Sequence, residues 1–68
     1  MKVTVRFFPS KDTKEMDLKK GATGMSLIED LNLAPDSYIL ARSGKPIPID
    51  EELEDGETLT LISVVSGG

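Results

Sequence analysis

The best candidates to take part in a chemical reaction are the last two residues of the 68-residue sequence, Gly67 and Gly68. A glycine has no Cβ, so a Gly-Gly end fits a channel too narrow for other residues and can present its carboxylate to a second protein. A carboxylate becomes an acyl donor only after activation, because oxide is a poor leaving group. The alternative is an ordinary chain end, where small residues are common. The first interpretation requires the rest of the chain to hold this tail out for a partner.

The composition argues against an enzyme. The sequence contains no cysteine and no histidine, so it has no thiolate nucleophile, no cysteine-ligated metal and no imidazole general base. We therefore expect no catalytic side chain, no metal site and no bound cofactor. The net charge of −4 disfavours nucleic acid and anionic membranes as partners. The start of the chain shows neither a signal peptide nor a membrane span, so we expect a cytoplasmic location. Separately, we expect the protein to be a monomer.

The elements that must position the tail begin with a β-hairpin. Residues 2–7 alternate polar and apolar side chains, which predicts a half-buried strand with Val3, Val5 and Phe7 facing inward. Phe8 breaks this alternation and either ends the strand or lies on its polar face. After a turn, residues 14–18 alternate in the same way and predict the returning arm of the hairpin.

A short helix follows the hairpin. Thr23 is the preferred N-cap, with Ser26 three residues later and an apolar stripe beyond it: Leu27, Ile28 and Leu31. The alternative is Ser26 as the N-cap with Glu29 as its capping-box partner, which leaves scarcely more than one turn. Asn32 can adopt the left-handed conformation that ends a helix, and Pro35 prevents its continuation.

The second half of the chain is predicted to form three strands. Residues 38–42 predict one strand, and residues 46–49 predict a short edge strand because two prolines there cannot donate hydrogen bonds. Residues 50–56 form a polar crossover with one apolar anchor, Leu53. Residues 58–65 predict the last strand, which leads into the two glycines.

This order predicts an α+β fold of the β-grasp type, a mixed sheet of four to five strands with one helix packed on one face. The first and last strands are the longest and most apolar, which favours a parallel central pair joined by the helical crossover. We assign residues 1–64 to the β-grasp domain and residues 65–68 to a flexible Gly-Gly tail.

With this order and this end, the chain resembles ubiquitin-like proteins of the sulfur-carrier branch, such as MoaD and ThiS, and the small archaeal modifier proteins. The resemblance covers the whole chain. Its most specific part is the Asp-Gly-Glu of residues 55–57, which leads through the last strand to Val-Ser-Gly-Gly at 65–68. Less specific are residues 2–8 and the Ser-Gly-Lys-Pro-Ile turn at 43–47.

The sequence departs from the family pattern at two points. Gly24 lies at the start of the helix, where such families usually have an apolar residue. Pro46 and Pro48 leave the short strand unusually poor in hydrogen-bond donors. Both departures lie outside the tail.

The resemblance implies what the tail does. An activating enzyme of the ubiquitin-activating, MoeB or ThiF type would use ATP to adenylate Gly68, with Gly67 letting the backbone pass flat beneath the nucleotide. A sulfur donor used by the partner would then give a thiocarboxylate for a sulfur-acceptor enzyme in molybdopterin, thiamine or tRNA thiolation. Alternatively, the lysine of a substrate protein would attack and form an isopeptide bond.

The sheet face away from the helix is the predicted docking surface for the activating enzyme. Its predicted members come from the outward side of three strands: Thr60, Ile62, Val64, Ile39, Ala41 and Phe8. The alternative is that these are apolar side chains exposed singly, as on any small sheet.

The acidic run over residues 50–57 has two interpretations. It is either a solvated loop or a source of electrostatic steering towards a basic partner. It lacks the glycine-centred spacing of a calcium loop. A sulfur carrier is our first hypothesis and a covalent modifier the second. A β-grasp interaction module without a functional terminus is the third.

Overall fold

The structure is a computed structural model that describes residues 1–64. Residues 65–68, including the predicted tail with both glycines, lie outside the described residues, as does the predicted boundary of the domain. The order is β1 (Lys2–Phe8), β2 (Thr13–Asp17), α1 (Gly24–Asp30), a 3-10 helix (Pro35–Ser37), β3 (Tyr38–Arg42), β4 (Lys45–Pro46) and β5 (Thr58–Ser63). Apart from the short 3-10 helix, this is the predicted order of elements.

The five strands form one mixed sheet in the order β2-β1-β5-β3-β4. β1 and β5 run parallel in the interior of the sheet, while the β1–β2, β3–β4 and β3–β5 pairs are antiparallel. The parallel pair requires a crossover, and α1 belongs to it. The β-grasp prediction is confirmed, including the central parallel pair.

The core lies between α1 and the inner face of the sheet. Val3 and Val5 of β1 and Leu59 and Leu61 of β5 are at most 1% exposed, and they form one cluster with the fully buried Leu27 of α1. Burial of a side chain of this size contributes roughly 1.5–3 kcal/mol. The alternation in the sequence predicted these inward-facing strand residues correctly.

The helix begins where the first of the two N-cap predictions placed it. The side chain of Thr23 accepts a hydrogen bond from the Ser26 amide, and the Ser26 hydroxyl accepts one from the Thr23 amide. Asn32 has the left-handed φ of 61° expected after the helix. α1 has seven residues. Within residues 1–64, no helix has the length and apolar character needed to cross a membrane.

The edge of the sheet beyond β3 is shorter than the sequence predicted. Ser43 and Gly44 have φ values of 52° and 79°, which make a tight turn into β4. β4 contains only Lys45 and Pro46, although Ile47 still donates to the Leu40 carbonyl at 2.9 Å. Prolines 46 and 48 have no N–H to continue the ladder, so the prediction of a strand over residues 46–49 was too long.

Gly24 allows α1 to lie close to the sheet and to the loop after β4. A Cβ at this position would lie 2.8 Å from the Ile49 carbonyl oxygen and still closer to the Leu40 side chain. The Ile49 carbonyl accepts a hydrogen bond from the Met25 amide at 2.7 Å, which restrains it from moving away. The absence of a side chain at Gly24, a departure from the family pattern, therefore has a steric cause.

Arg42 fastens the crossover to the end of β3. Its Nε donates to Glu57 Oε1 at 2.7 Å and its Nη2 to Glu57 Oε2 at 3.1 Å, a two-pronged contact with one carboxylate. Nη1 donates to Glu51 Oε2 at 3.3 Å, and Nη2 also donates to the Glu52 carbonyl at 2.9 Å. The predicted anchor Leu53 is 5% exposed beside this network.

These contacts change the interpretation of the acidic run. Burial alone would raise the pKa of the Glu57 carboxyl, but hydrogen bonds from the Arg42 guanidinium and the Glu54 amide outweigh it, so the pKa is lowered. The hydrogen bond to Glu57 raises the pKa of Arg42. Asp55 Oδ1 accepts from the Lys2 amide at 2.8 Å. Several residues of the acidic run therefore stabilise the fold through ion pairs and hydrogen bonds, and the prediction of a solvated loop was incomplete.

Substitution of Gly24 by alanine should destabilise the fold. Alanine favours a helix over glycine by about 1 kcal/mol, but the added methyl group meets the Ile49 carbonyl and the Leu40 side chain. We expect Gly24→Ala to lower the free energy of unfolding by about 1–3 kcal/mol in urea denaturation. Glu29→Ala, on the exposed side of α1, is the control. A Gly24→Ala variant more stable than wild type would contradict the steric account.

Glu57→Gln should destabilise the fold by about 1–2 kcal/mol at pH 7, because either amide orientation sets an N–H group against a donor. The folded-state pKa of Glu57 lies below its unfolded value. Its contribution is therefore present above the unfolded pKa, about 4.3, and is lost as the pH falls through the folded pKa. The difference between wild type and variant in chemical denaturation should shrink below about pH 4. Glu15→Gln on β2 is the control, and a pH-independent difference would exclude this ion pair as its cause.

Candidate functional site

Residues 62–64, which lead into the predicted tail and which we call the tail root, are held by the strands at the centre of the sheet. Ile62 of β5 lies between Phe8 of β1 and Ile39 of β3, so strands pair with β5 on both sides. Beyond the end of β5, the Val64 amide donates to the Ser37 carbonyl at 2.9 Å. The backbone is therefore fixed to its neighbours up to the last described residue. Gly67 and Gly68 lie outside the described residues, and their role stays a prediction.

An apolar row crosses the open face of the sheet next to this root. Phe8, Ile62 and Ile39, which we call the apolar row, are register partners on β1, β5 and β3. The row faces away from α1, because the alternate residue Leu61 points into the core. Phe8 is 56% exposed and Ile39 is 41% exposed, while Ile62 is half-buried. Three of the six predicted docking residues thus lie side by side.

The remaining three predicted docking residues differ in accessibility. Thr60 and Val64 are half-buried, and Thr60 lies on the open face two residues before Ile62. Ala41 pairs with Thr60 and so lies on the same face, but its side chain is only 4% exposed. Its small methyl group sits between Thr60 and Pro46 on the neighbouring strands. The expectation that Ala41 offers a contact surface is therefore corrected.

A shallow cleft lies at the end of the sheet where the chain leaves it, and Phe8 is the one member of the apolar row that lines it. It is lined by residues from the ends of β1, β3 and β5 and from the turn after β1: Phe7, Phe8, Pro9, Ser10, Tyr38 and Ser63. Aromatic side chains with exposed edges are common anchors at protein interfaces. The cleft and the apolar row together place exposed apolar surface beside the tail root.

The charged groups of the crossover lie at the other end of the sheet. Thr4, near the start of β1, donates from its amide to the Glu57 carbonyl at 2.9 Å, and Lys2 accepts from the Gly56 amide. Phe8 and Ile62, by contrast, are at the far ends of the parallel strands β1 and β5. The acidic run and the tail root are thus separated by the length of these strands.

Sequence reasoning missed one residue of this face, Arg6. The alternation in β1 placed it on the polar side of the strand, but only the register shows that it pairs with Thr60 in the row beside the apolar row. Its side chain is exposed. No pattern within β1 could have shown this adjacency, because its neighbour Thr60 is distant in sequence.

Solved structures share this fold. SAMP1 from Haloferax volcanii superposes with a TM-score of 0.77 over 100% of both chains, at 19% identity, a likeness of fold alone. A Pyrococcus furiosus protein provisionally named molybdopterin converting factor, subunit 1, has a TM-score of 0.76 at 26% identity, over 94% of this chain and 98% of that one.

Relatives are also found by sequence. The chain is 26% identical over 68 residues to the sulfur carrier protein TtuB of Thermus thermophilus, covering 100% of both. It is 29% identical over 69 residues to an uncharacterised protein of Archaeoglobus fulgidus, again covering 100% of both. Residues 1–65 match the sequence model of the family described as small archaeal modifier protein 2. With nearly its whole length matched and the β-grasp fold in place, this chain belongs to the small archaeal modifier protein 2 family.

Proposed function

We propose that this chain is a ubiquitin-like sulfur carrier whose Gly68 carboxylate is activated by an ATP-dependent enzyme of the ubiquitin-activating, MoeB or ThiF type. The observation that carries the proposal is the course of β5, which runs through the sheet to Val64 beside the apolar row. The similarity to the sulfur carrier protein TtuB supports the carrier role. Because ATP is consumed, we propose the cytoplasm as the site of action.

The proposed chemistry takes place in the partner. A carboxylate oxygen of Gly68 attacks the α-phosphorus of ATP, pyrophosphate leaves, and an acyl adenylate results. Hydrosulfide supplied by a sulfur donor then attacks the carbonyl carbon of Gly68. The new C–S bond forms, the C–O bond to AMP breaks, and a thiocarboxylate remains. A sulfur-acceptor enzyme would consume this thiocarboxylate in a molybdopterin, thiamine or tRNA thiolation reaction.

The body of the protein contributes position rather than catalysis. A docked enzyme that contacts the apolar row also receives Val64 at a fixed place, because the hydrogen bond to Ser37 holds it. Four residues separate Val64 from the end of Gly68, and such a segment reaches at most roughly 14 Å. The α-phosphate of the nucleotide in the partner must therefore lie within about that distance of Val64. Holding reactants in place in this way lowers the entropic part of the barrier.

The second candidate function is covalent protein modification, and the match to a modifier family favours it. The ε-amine of a substrate lysine would attack the carbonyl carbon of the Gly68 adenylate. The C–N bond forms, the C–O bond to AMP breaks, AMP leaves, and loss of a proton from nitrogen completes the isopeptide bond. Mass spectrometry of the protein from its own cells separates the two. In a carrier, the thiocarboxylate form is heavier than the carboxylate form by the mass difference between sulfur and oxygen. In a modifier, the last residues of this chain appear attached to lysines in peptides of the substrate proteins. A plain interaction module would show neither.

Gly68→Ala should abolish most of the activation. The added methyl group must enter the space in which the acyl group meets the nucleotide, and small misplacements at a reaction centre cost on the order of 100-fold in rate. The measurement is intact-mass detection of the adenylate with ATP and the purified host activating enzyme. Ser66→Ala changes the tail without adding a Cβ and is the control. Adenylation of Gly68→Ala at the wild-type rate would contradict the proposal.

Ile62→Asp should weaken docking without unfolding the protein, because Ile62 points away from the core. We expect kcat/KM for adenylation to fall roughly tenfold or more, the loss of one interface contact of about 1–2 kcal/mol. Asn32→Asp adds the same charge at an exposed position after α1, away from the open face of the sheet, and is the control. Thermal unfolding of both variants verifies the fold. If wild type and a folded Ile62→Asp variant are adenylated with equal kcat/KM, the apolar row has no part in docking.

A further inference from the structure

Arg6 is a charged group on the open face that the proposed docking through apolar contacts does not use. Its register partners on both sides are threonines, Thr13 on β2 and Thr60 on β5. Within residues 1–64 its guanidinium forms no ion pair and no hydrogen bond. Arg42, the other arginine of the chain, donates to two carboxylates and one carbonyl. The two arginines therefore have different roles.

The position of Arg6 relative to the apolar row is set by the strands. Arg6 precedes Phe8 by two residues on β1, just as Thr60 precedes Ile62 on β5, and this spacing is about 6.6 Å along a strand. Ala41, the next residue across from Thr60, is small and buried, so no bulky side chain stands between that part of the face and a partner. A single flat partner surface can therefore contact Phe8, Ile62 and Arg6 together.

The charge of this part of the face is opposite to that of the whole molecule. The chain has a net charge of −4, yet Arg6 is the one charged side chain in the two rows formed by Phe8–Ile62–Ile39 and Thr13–Arg6–Thr60–Ala41. Two acidic residues of the crossover, Glu54 and Glu57, line an open cleft together with Arg6 and Arg42. Arg42 pairs with Glu57 and Glu51, whereas Arg6 forms no ion pair within residues 1–64. A partner that approaches the tail root thus meets apolar surface beside a cation that has no ion pair among the described residues.

We propose that Arg6 determines which activating enzyme binds, by pairing with a carboxylate that this enzyme carries next to an apolar contact for Ile62 and Phe8. This inference rests on the proposed function and adds the chemistry of the partner surface. Arginine suits the role because its planar guanidinium binds a carboxylate through two parallel hydrogen bonds and is always charged. A basic partner surface at this place would be repelled by Arg6.

The test compares two charge reversals of equal size. Arg6→Glu places a carboxylate beside the apolar row, whereas Lys14→Glu makes the same change on β2, where Lys14 pairs with the inward-facing Val5 and so lies on the helix side. Each variant is incubated with ATP and the purified host activating enzyme. The adenylate is quantified by intact mass at several salt concentrations, and thermal unfolding verifies the fold. Arg6→Lys completes the set, since it keeps the charge and loses the two-pronged geometry.

We expect Arg6→Glu to lower kcat/KM roughly 10- to 100-fold, because the new carboxylate would face and repel the carboxylate of the partner. Arg6→Lys should lose only a few-fold, and Lys14→Glu should stay within about twofold of wild type. The loss in Arg6→Glu should diminish with salt, because ions screen the repulsion.

Three results would overturn the inference, and they are distinguishable. If wild type is adenylated and Arg6→Glu behaves like Lys14→Glu, Arg6 has no part in docking while the proposed function stands. If wild type is not adenylated at Gly68, the proposed function and this inference fail together. If sedimentation shows that wild type self-associates and Arg6→Glu does not, a second copy of the chain covers this face instead of the enzyme.

Discussion

The parallel pairing of β1 with β5 is the constraint on which the other features depend. It joins the first and last strands of the fold, and it sets Phe8 opposite Ile62 in the same register that sets Val5 opposite Leu59. Side chains alternate between the two faces of a strand, so one register determines the core and the open face together. A slip of one residue would expose the core leucines and bury Arg6 and the threonines. The tight core thus also specifies the arrangement of the proposed docking surface.

The two ends of this strand pair have different tasks. At one end the crossover is fastened by Arg42 to Glu57 and Glu51, and by Asp55 to the backbone of β1. Charged groups there are satisfied by one another, which is how polar groups near a small core avoid a desolvation cost. Towards the other end the apolar row is accessible, and Arg6 forms no ion pair among the described residues, although it shares an open cleft with Glu54 and Glu57. In our proposal, stability and recognition are therefore largely separated along the same strands.

This separation suits a protein that supplies no catalytic side chain in our proposal. A rigid body with a fixed tail root lets the partner use binding energy from the sheet to place a short acyl end. In the proposed function the same geometry would serve transfer to sulfur or to lysine, since both would begin with the activated carboxylate. A carrier and a modifier would then differ in the nucleophile that the partner admits to the activated carboxylate. The fold of this chain favours neither function over the other.

Local patterns in the sequence determined most of the fold. Alternation predicted the inward faces of β1 and β5, and the Thr23–Ser26 pair predicted the helix start. These features depend on neighbours in sequence, so local chemistry is sufficient to specify them. The order of the elements then predicted the β-grasp type. The extent of β4 was overestimated, because apolar character alone does not show how early two prolines stop a ladder.

The tertiary structure alone decided the features that join distant segments. Ala41 has an outward position but is covered by its neighbours on β5 and β4. Gly24 is favoured because the carbonyl oxygen of Ile49 lies only 2.8 Å from the place where a Cβ would be. Arg42 and Glu57 meet across 15 residues, and Arg6 comes next to Thr60 across most of the chain. Such neighbours follow from strand order and register, which emerge only when the whole core packs at once.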